Sequence, residues 1–179
     1  MSESKAASPR VVLDTAGIER AVTRIAHEIV ERNGGTKDLV LIAIVMGGRP
    51  IAELIRDRLR EIEGAEVPLG ALDVTLYRDD VIGHGRRPVP NPTRIPVTVG
   101  GKRVVLVDDV IFTGRTVRAA MDAVIDFGRP EAIQVATLVD RGHRELPIRV
   151  DFVGKNIPTS RSDKVVLQRN SEGDLEVVV

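Results

Sequence analysis

Apolar positions recur along this chain with two different periods, and the changes of period divide it into helices and strands. Behind a small polar stretch, Met1 to Arg10, expected to be disordered, Ile18, Val22, Ile25, Ala26 and Ile29 recur at helical spacing. Asp14 or Thr15 can cap that helix, and Asn33-Gly34-Gly35 stops it after about Arg32. Leu39 to Val45 is unbroken aliphatic sequence, which predicts a strand covered on both faces. A glycine turn, a helix from about Pro50 to Glu61 and a strand from Ala71 to Tyr77 follow. From Arg78 to about Pro96 the pattern dissolves into charge, glycine and proline. A structureless span of that length inside a domain is usually a lid. Next come a strand from Lys102 to Val107, a helix from Arg115 to Phe127, the stop Gly128, and a strand from Ala132 to Leu138. Shorter strands are expected over Arg149 to Val153, Lys164 to Leu167 and Leu175 to Val179. This alternation predicts an α/β fold in which helices flank a mostly parallel central sheet, as one domain over residues 1–179.

The chemistry concentrates in Val104-Val105-Leu106-Val107-Asp108-Asp109-Val110-Ile111-Phe112-Thr113-Gly114-Arg115-Thr116. A buried strand delivers two carboxylates and a small-residue turn to the start of a helix. Backbone N–H groups of Thr113 to Thr116 can hold a phosphate, helped by the positive end of the helix dipole. Asp108 and Asp109 can accept hydrogen bonds from vicinal hydroxyls or meet a hard cation such as Mg²⁺. In parallel sheets the ligand crevice lies at the carboxyl ends of the strands, where this turn belongs. A solvated pair of loop acids is the plain alternative, but it leaves the following Thr-Gly-x-Thr unexplained. The chain has no Gly-x-x-x-x-Gly-Lys-Ser/Thr run, and no Gly-x-Gly-x-x-Gly follows a strand, so the common nucleotide loops are excluded.

Composition narrows the classes further. Only 2% of residues are aromatic, so base stacking on an aromatic platform cannot be a main binding mode. The formal net charge is zero, so nucleic-acid binding needs a local basic patch. Without cysteine there is neither thiolate catalysis nor a cysteine zinc site, and the three scattered histidines do not make one. No apolar run is long enough to span a bilayer and no signal peptide is evident, so a soluble, cytoplasmic protein is expected.

The strand, the two acids and Thr-Gly-x-Thr resemble the phosphoribosyl-pyrophosphate (PRPP) motif of type I phosphoribosyltransferases. Two later runs sharpen the likeness: Leu138-Val139-Asp140-Arg141-Gly142-His143-Arg144-Glu145-Leu146-Pro147-Ile148-Arg149 and Val153-Gly154-Lys155-Asn156-Ile157-Pro158-Thr159-Ser160. Together they resemble the PyrR family, pyrimidine-operon regulators that are also uracil phosphoribosyltransferases, and the likeness runs from about Val11 to Gln168. The resemblance implies a type I phosphoribosyltransferase fold with a small hood, and conversion of uracil and PRPP to UMP and pyrophosphate with Mg²⁺. It further implies binding of leader RNA, strengthened by UMP or UTP, and at least a homodimer. Carried over by motif, Asp108 and Asp109 hold the ribose hydroxyls and Thr113 to Thr116 the 5′-phosphate, within the nucleotide-binding run Val110, Ile111, Phe112, Thr113, Gly114, Arg115 and Thr116. The lid begins at Arg78, and Arg141 serves the base or nucleotide site.

The chain departs from the family at one loop. After the first long strand the family shows Gly-Ile-x-Thr-Arg-Gly, a pyrophosphate loop, where this chain has Ala43-Ile44-Val45-Met46-Gly47-Gly48. Gly47 and Gly48 can bring backbone N–H groups close to an anion, and Arg49 either replaces the missing side chain or points elsewhere. If the departure is costly, arginine at position 47 should raise activity. On the first helix Arg20, Thr23, Arg24, His27 and Glu31 share one face opposite the aliphatic stripe. A solvated face is the plain reading of these positions. The resemblance places RNA contacts on Thr23, Arg24 and His27, with Arg144, Arg149 and Lys155 from the later runs.

Overall fold

The unbroken run Leu39–Ile44 forms strand β2, and every residue of it is buried. In the computed structural model, which describes residues 9–45, 47–77 and 92–179, four more strands join it: β3 (Leu69–Leu72), β4 (Arg103–Ile111), β5 (Ala132–Asp140) and β6 (Phe152–Asn156). They make a parallel five-stranded sheet in the order β3-β2-β4-β5-β6. Helices α1 (Thr15–Asn33) and α2 (Gly48–Glu63) cover one face, and α3 (Arg115–Ile125) covers the other. Side chains of β4 alternate between the two cores, Val105 and Val107 beneath α1 and α2, Val104 and Leu106 beneath α3.

Beyond this sheet, β1 (Val11–Leu13), β7 (Val166–Arg169) and β8 (Leu175–Val178) form a small antiparallel sheet in the order β1-β8-β7. Together with the segments 141–151 and 157–161, which flank β6, it makes the hood. Asp14 caps α1 by accepting the Gly17 N–H at 2.8 Å, and Gly34 ends the helix in the left-handed conformation at φ 63°.

Several elements differ from the periodicity, and the clearest cases have a local reason. The expected strand Ala71 to Tyr77 leaves the sheet after Leu72, and Thr75–Tyr77 is a single 3-10 turn. Asp73 redirects the chain there, its carboxylate accepting the Thr75 N–H at 2.7 Å. Strand β4 does not end at Val107 but runs on to Ile111, pairing with β5 as far as Asp140. Strand β6 starts at Phe152 rather than Arg149, because the Asp151 carboxylate first takes the Val135 N–H at 2.8 Å. Arg10, expected to be disordered, exchanges two 2.9 Å backbone hydrogen bonds with Val179. Arg78, most of the expected lid, Met46 and residues 1–8 lie outside the described residues.

Candidate active site

Because β4 continues through its two acids, the alternation that sorts its aliphatic residues also sorts the carboxylates. Asp108 follows Val104 and Leu106 toward α3; it is buried and lines a cavity of about 330 Å³ at the carboxyl end of the sheet. Asp109 follows Val105 and Val107 toward the start of α2. Each side chain is braced by the next backbone amide: Asp109 N–H donates to Asp108 Oδ1 at 3.0 Å, and Val110 N–H to Asp109 Oδ1 at 2.8 Å. A Cβ added to Gly47 would stand 2.1 Å from Asp109 Oδ2, and one added to Gly48 would stand 2.2 Å from the Val107 carbonyl oxygen. Glycine at both positions thus lets the β2–α2 turn press against the acidic end of β4. Arg49 turns along α2 and pairs with Glu53 at 3.0 Å, with most of its side chain exposed.

The rest of the cavity wall is the turn from β4 into α3. Val110 through Thr116 all line it, together with Val117 and Glu145. Gly114 caps α3 at φ 89°, a left-handed conformation that glycine adopts without strain. Such a turn, with the helix dipole behind it, suits a phosphate. Glu145 was not singled out from the sequence. Its N–H donates to the Thr113 carbonyl at 2.9 Å, and its carboxylate accepts from Arg115 Nε at 2.8 Å and also from Arg161. The hydrogen bond from Arg115, followed by the charges of both arginines, holds the Glu145 carboxyl below its ordinary value. No spacing rule links position 145 to position 115; only the fold brings them together.

The hood is tied to this wall by two more guanidinium groups. Arg144 donates to the Phe112 carbonyl at 2.9 Å, to the Ile148 carbonyl at 3.1 Å, and to both Asp140 carboxylate oxygens at 3.0 and 2.6 Å. Arg141 is buried over the Phe112 ring, 4.1 Å from its centroid, and donates to Thr159 Oγ1 and the Ser160 carbonyl. His143 meets the same ring edge-on at 5.6 Å, and its Nε2–H donates to the Thr159 carbonyl at 2.7 Å. Neither Arg141 nor Arg144 lines the cavity; both fix the loop that does.

On the other side, the polar face of α1 packs beside edge strand β6. Arg24 and His27 are exposed, and Thr23 is half-buried with its hydroxyl donating to the Glu19 carbonyl. Arg24 reaches the Val153 and Gly154 carbonyls, and the neighbouring Lys155 donates to the Val12 carbonyl at 2.8 Å. Arg149 is exposed ahead of β6. The fold therefore gathers Thr23, Arg24, His27 and Lys155 along one edge, whereas Arg144 is turned inward.

The phosphoribosyl transferase domain matches residues 11–168. A "Bifunctional protein PyrR" from Geobacter sulfurreducens is 62% identical over 157 residues, covering 88% of this chain and 89% of that protein. The chain belongs to the PyrR family. A second protein of the same description, from Pelotomaculum thermopropionicum, is 56% identical over 169 residues, 94% of this chain and 93% of its own length. Among solved structures, a hypoxanthine-guanine phosphoribosyltransferase of Bacillus anthracis shares the fold at TM-score 0.72 and 21% identity, covering 96% of this chain and 99% of that one. The PyrR chain thus carries the type I phosphoribosyltransferase fold, with Asp108, Asp109 and the Thr113–Thr116 turn at the carboxyl end of the sheet. Among the described residues no helix is long and apolar enough to cross a membrane.

Proposed function

We propose that this PyrR-family chain transfers the phosphoribosyl group of PRPP to uracil and, with uridine nucleotide in the same site, binds pyrimidine-operon leader RNA. One observation carries the first activity: Asp108 and the turn Thr113–Thr116 face a single cavity at the carboxyl end of the sheet. A ribose 5-phosphate fits that arrangement, its phosphate on the turn and its hydroxyls toward Asp108, while Asp109 lies outside the cavity against Gly47. In the transfer, a bond forms between a uracil ring nitrogen and C1 of PRPP while the C1–oxygen bond to pyrophosphate breaks. The ring nitrogen loses its proton. Such a step needs placed charges and a dry site rather than a protein nucleophile.

Mg²⁺ enters as part of this proposal. Among the described residues no group of three or more acidic, histidine or cysteine side chains is placed to hold a metal ion. Asp108, the carboxylate that faces the cavity, suits a hard cation that keeps most of its ligands from pyrophosphate and water. When bound, Mg²⁺ neutralises the departing pyrophosphate.

A second reading is favoured by the β2–α2 turn. With glycine at position 47 and Arg49 paired to Glu53, the pyrophosphate end of the site has backbone amides where the family has an arginine. A PyrR with weak turnover would act chiefly as a nucleotide-sensing RNA regulator. The proposed RNA surface is the α1–β6 edge with Thr23, Arg24, His27 and Lys155, joined by Arg149. We also propose a cytoplasmic protein working as at least a homodimer.

Formation of UMP from labelled uracil and PRPP, with and without Mg²⁺, tests the enzyme; UMP binding on the same preparation tests the sensor. Turnover that requires Mg²⁺ supports the first reading, and binding without turnover supports the second. A salt-dependent hairpin affinity that falls in Arg149→Ala supports the RNA surface, and an unchanged affinity argues against it.

A further inference from the structure

A carboxylate inside a phosphate-binding wall is electrostatically out of place, and Glu145 is one. It lines the same cavity as Thr113–Thr116 and is held there by its own N–H on the Thr113 carbonyl. Its carboxylate bridges Arg115, the first residue of α3, and Arg161, from the loop that Asp163 shapes by accepting the Ser160 N–H at 2.7 Å. Two guanidinium groups from different segments thus converge on one anionic position, next to the place that suits a 5′-phosphate. The side chains of Arg115 and Glu145 are each 31% exposed and that of Arg161 62%, so a ligand can reach them.

We propose that Arg115 and Arg161 form a subsite for the further phosphates of a nucleoside 5′-di- or triphosphate, and that Glu145 is the internal anion such a ligand displaces. The inference rests on the reading that the cavity takes a uridine 5′-nucleotide. With the first phosphate on the Thr113–Thr116 turn, the next phosphate of the chain reaches the position that the Glu145 carboxylate holds. Arginine forks recognise phosphate as they do carboxylate, so the exchange keeps both guanidinium groups paired. A monophosphate ends at the turn and leaves Glu145 in place. The subsite thereby distinguishes UTP from UMP at the 5′ end, away from the pyrophosphate on C1 of PRPP.

The test is calorimetric binding of UMP and of UTP to the full chain and to Arg161→Ala and Glu145→Gln, with thermal melts as a folding control. The ratio of UTP to UMP affinity should fall about tenfold in Arg161→Ala, the loss of one charge-assisted phosphate contact. It should rise severalfold in Glu145→Gln, where the competing charge is gone. If the unaltered chain binds both nucleotides and neither substitution moves the ratio, the subsite is overturned while the nucleotide reading stands. If the unaltered chain binds neither, both are overturned.

Discussion

The Asp109 carboxylate occupies the space that a side chain at Gly47 would need: a Cβ there would lie 2.1 Å from Oδ2 and 2.2 Å from the carboxyl carbon. The departure at position 47 and the second acid of β4 are therefore one packing arrangement. Placing an arginine there, which the family pattern alone suggests should restore activity, would force Asp109 off its bond to the Val110 N–H.

Gly47→Arg is accordingly expected to lower transfer, not raise it, with a stability cost of at most about 1 kcal/mol, since the group in the way is the end of the Asp109 side chain rather than backbone. Steady-state kinetics with PRPP and urea unfolding check this. A gain in kcat/KM at unchanged stability would show that Asp109 moves aside readily.

Asp108→Asn and Asp109→Asn together should leave a folded protein, since each amide oxygen can still accept the next backbone N–H. Transfer should fall by about a hundredfold or more, because Asp108, the proposed acceptor of ribose hydroxyls in the cavity, becomes neutral. Retained kcat/KM would remove these acids from the mechanism.

Arg144→Ala should destabilise the chain by about 1–3 kcal/mol, since loss of the half-buried guanidinium leaves the Phe112 and Ile148 carbonyls without it and Asp140 with only the Gly142 N–H. Arg144→Lys should recover only part of this, as an ammonium cannot make the two-pronged contact with Asp140. Denaturant midpoints of the three proteins decide it. A loss of RNA binding in Arg144→Ala would for this reason reflect the hood as much as the RNA surface.

Glu145 gives a pH signature. Its carboxyl is held below the ordinary value of 4.5, mainly by the Arg115 hydrogen bond. A group depressed in the fold contributes stability that is present above the unfolded pKa and lost as pH falls through the folded one. The Tm difference between the unaltered chain and Glu145→Gln should thus be constant at neutral pH and shrink below about pH 4.5. An offset that stays constant down to pH 3 would show that the pairing contributes nothing.

The single tyrosine reports on the turn that ends β3. Tyr77 donates its hydroxyl proton to Asp126 at 2.6 Å, and that bond raises its pKa above the ordinary 10.0. The stabilisation is present below the unfolded value and lost as pH rises through the folded one. Ultraviolet titration should place the midpoint above 10.0, and Asp126→Asn should bring it down. Identical midpoints would mean that the contact does not persist in solution.

The aliphatic runs at Leu39 and Val104 and the stripe from Ile18 to Ile29 determined the sheet, its covering helices and the place of the Thr113–Thr116 turn. Apolar burial and backbone pairing are strong local signals, and the acids with Thr-Gly-x-Thr stand in one unbroken run. The end of β3 was not legible, because the Asp73 side chain competes with the sheet for the local backbone. Nor was the extension of β4, which sends Asp108 and Asp109 to opposite faces. Glu145 became part of the cavity wall, and Arg144 a brace rather than a surface cation, only through partners that the chain delivers from elsewhere: Arg115 and Arg161 for one, Phe112 for the other. Periodicity records which face of an element is buried. It does not record where an irregular segment aims its charges, since tertiary folding decides which carbonyls and guanidinium groups lie within hydrogen-bond reach.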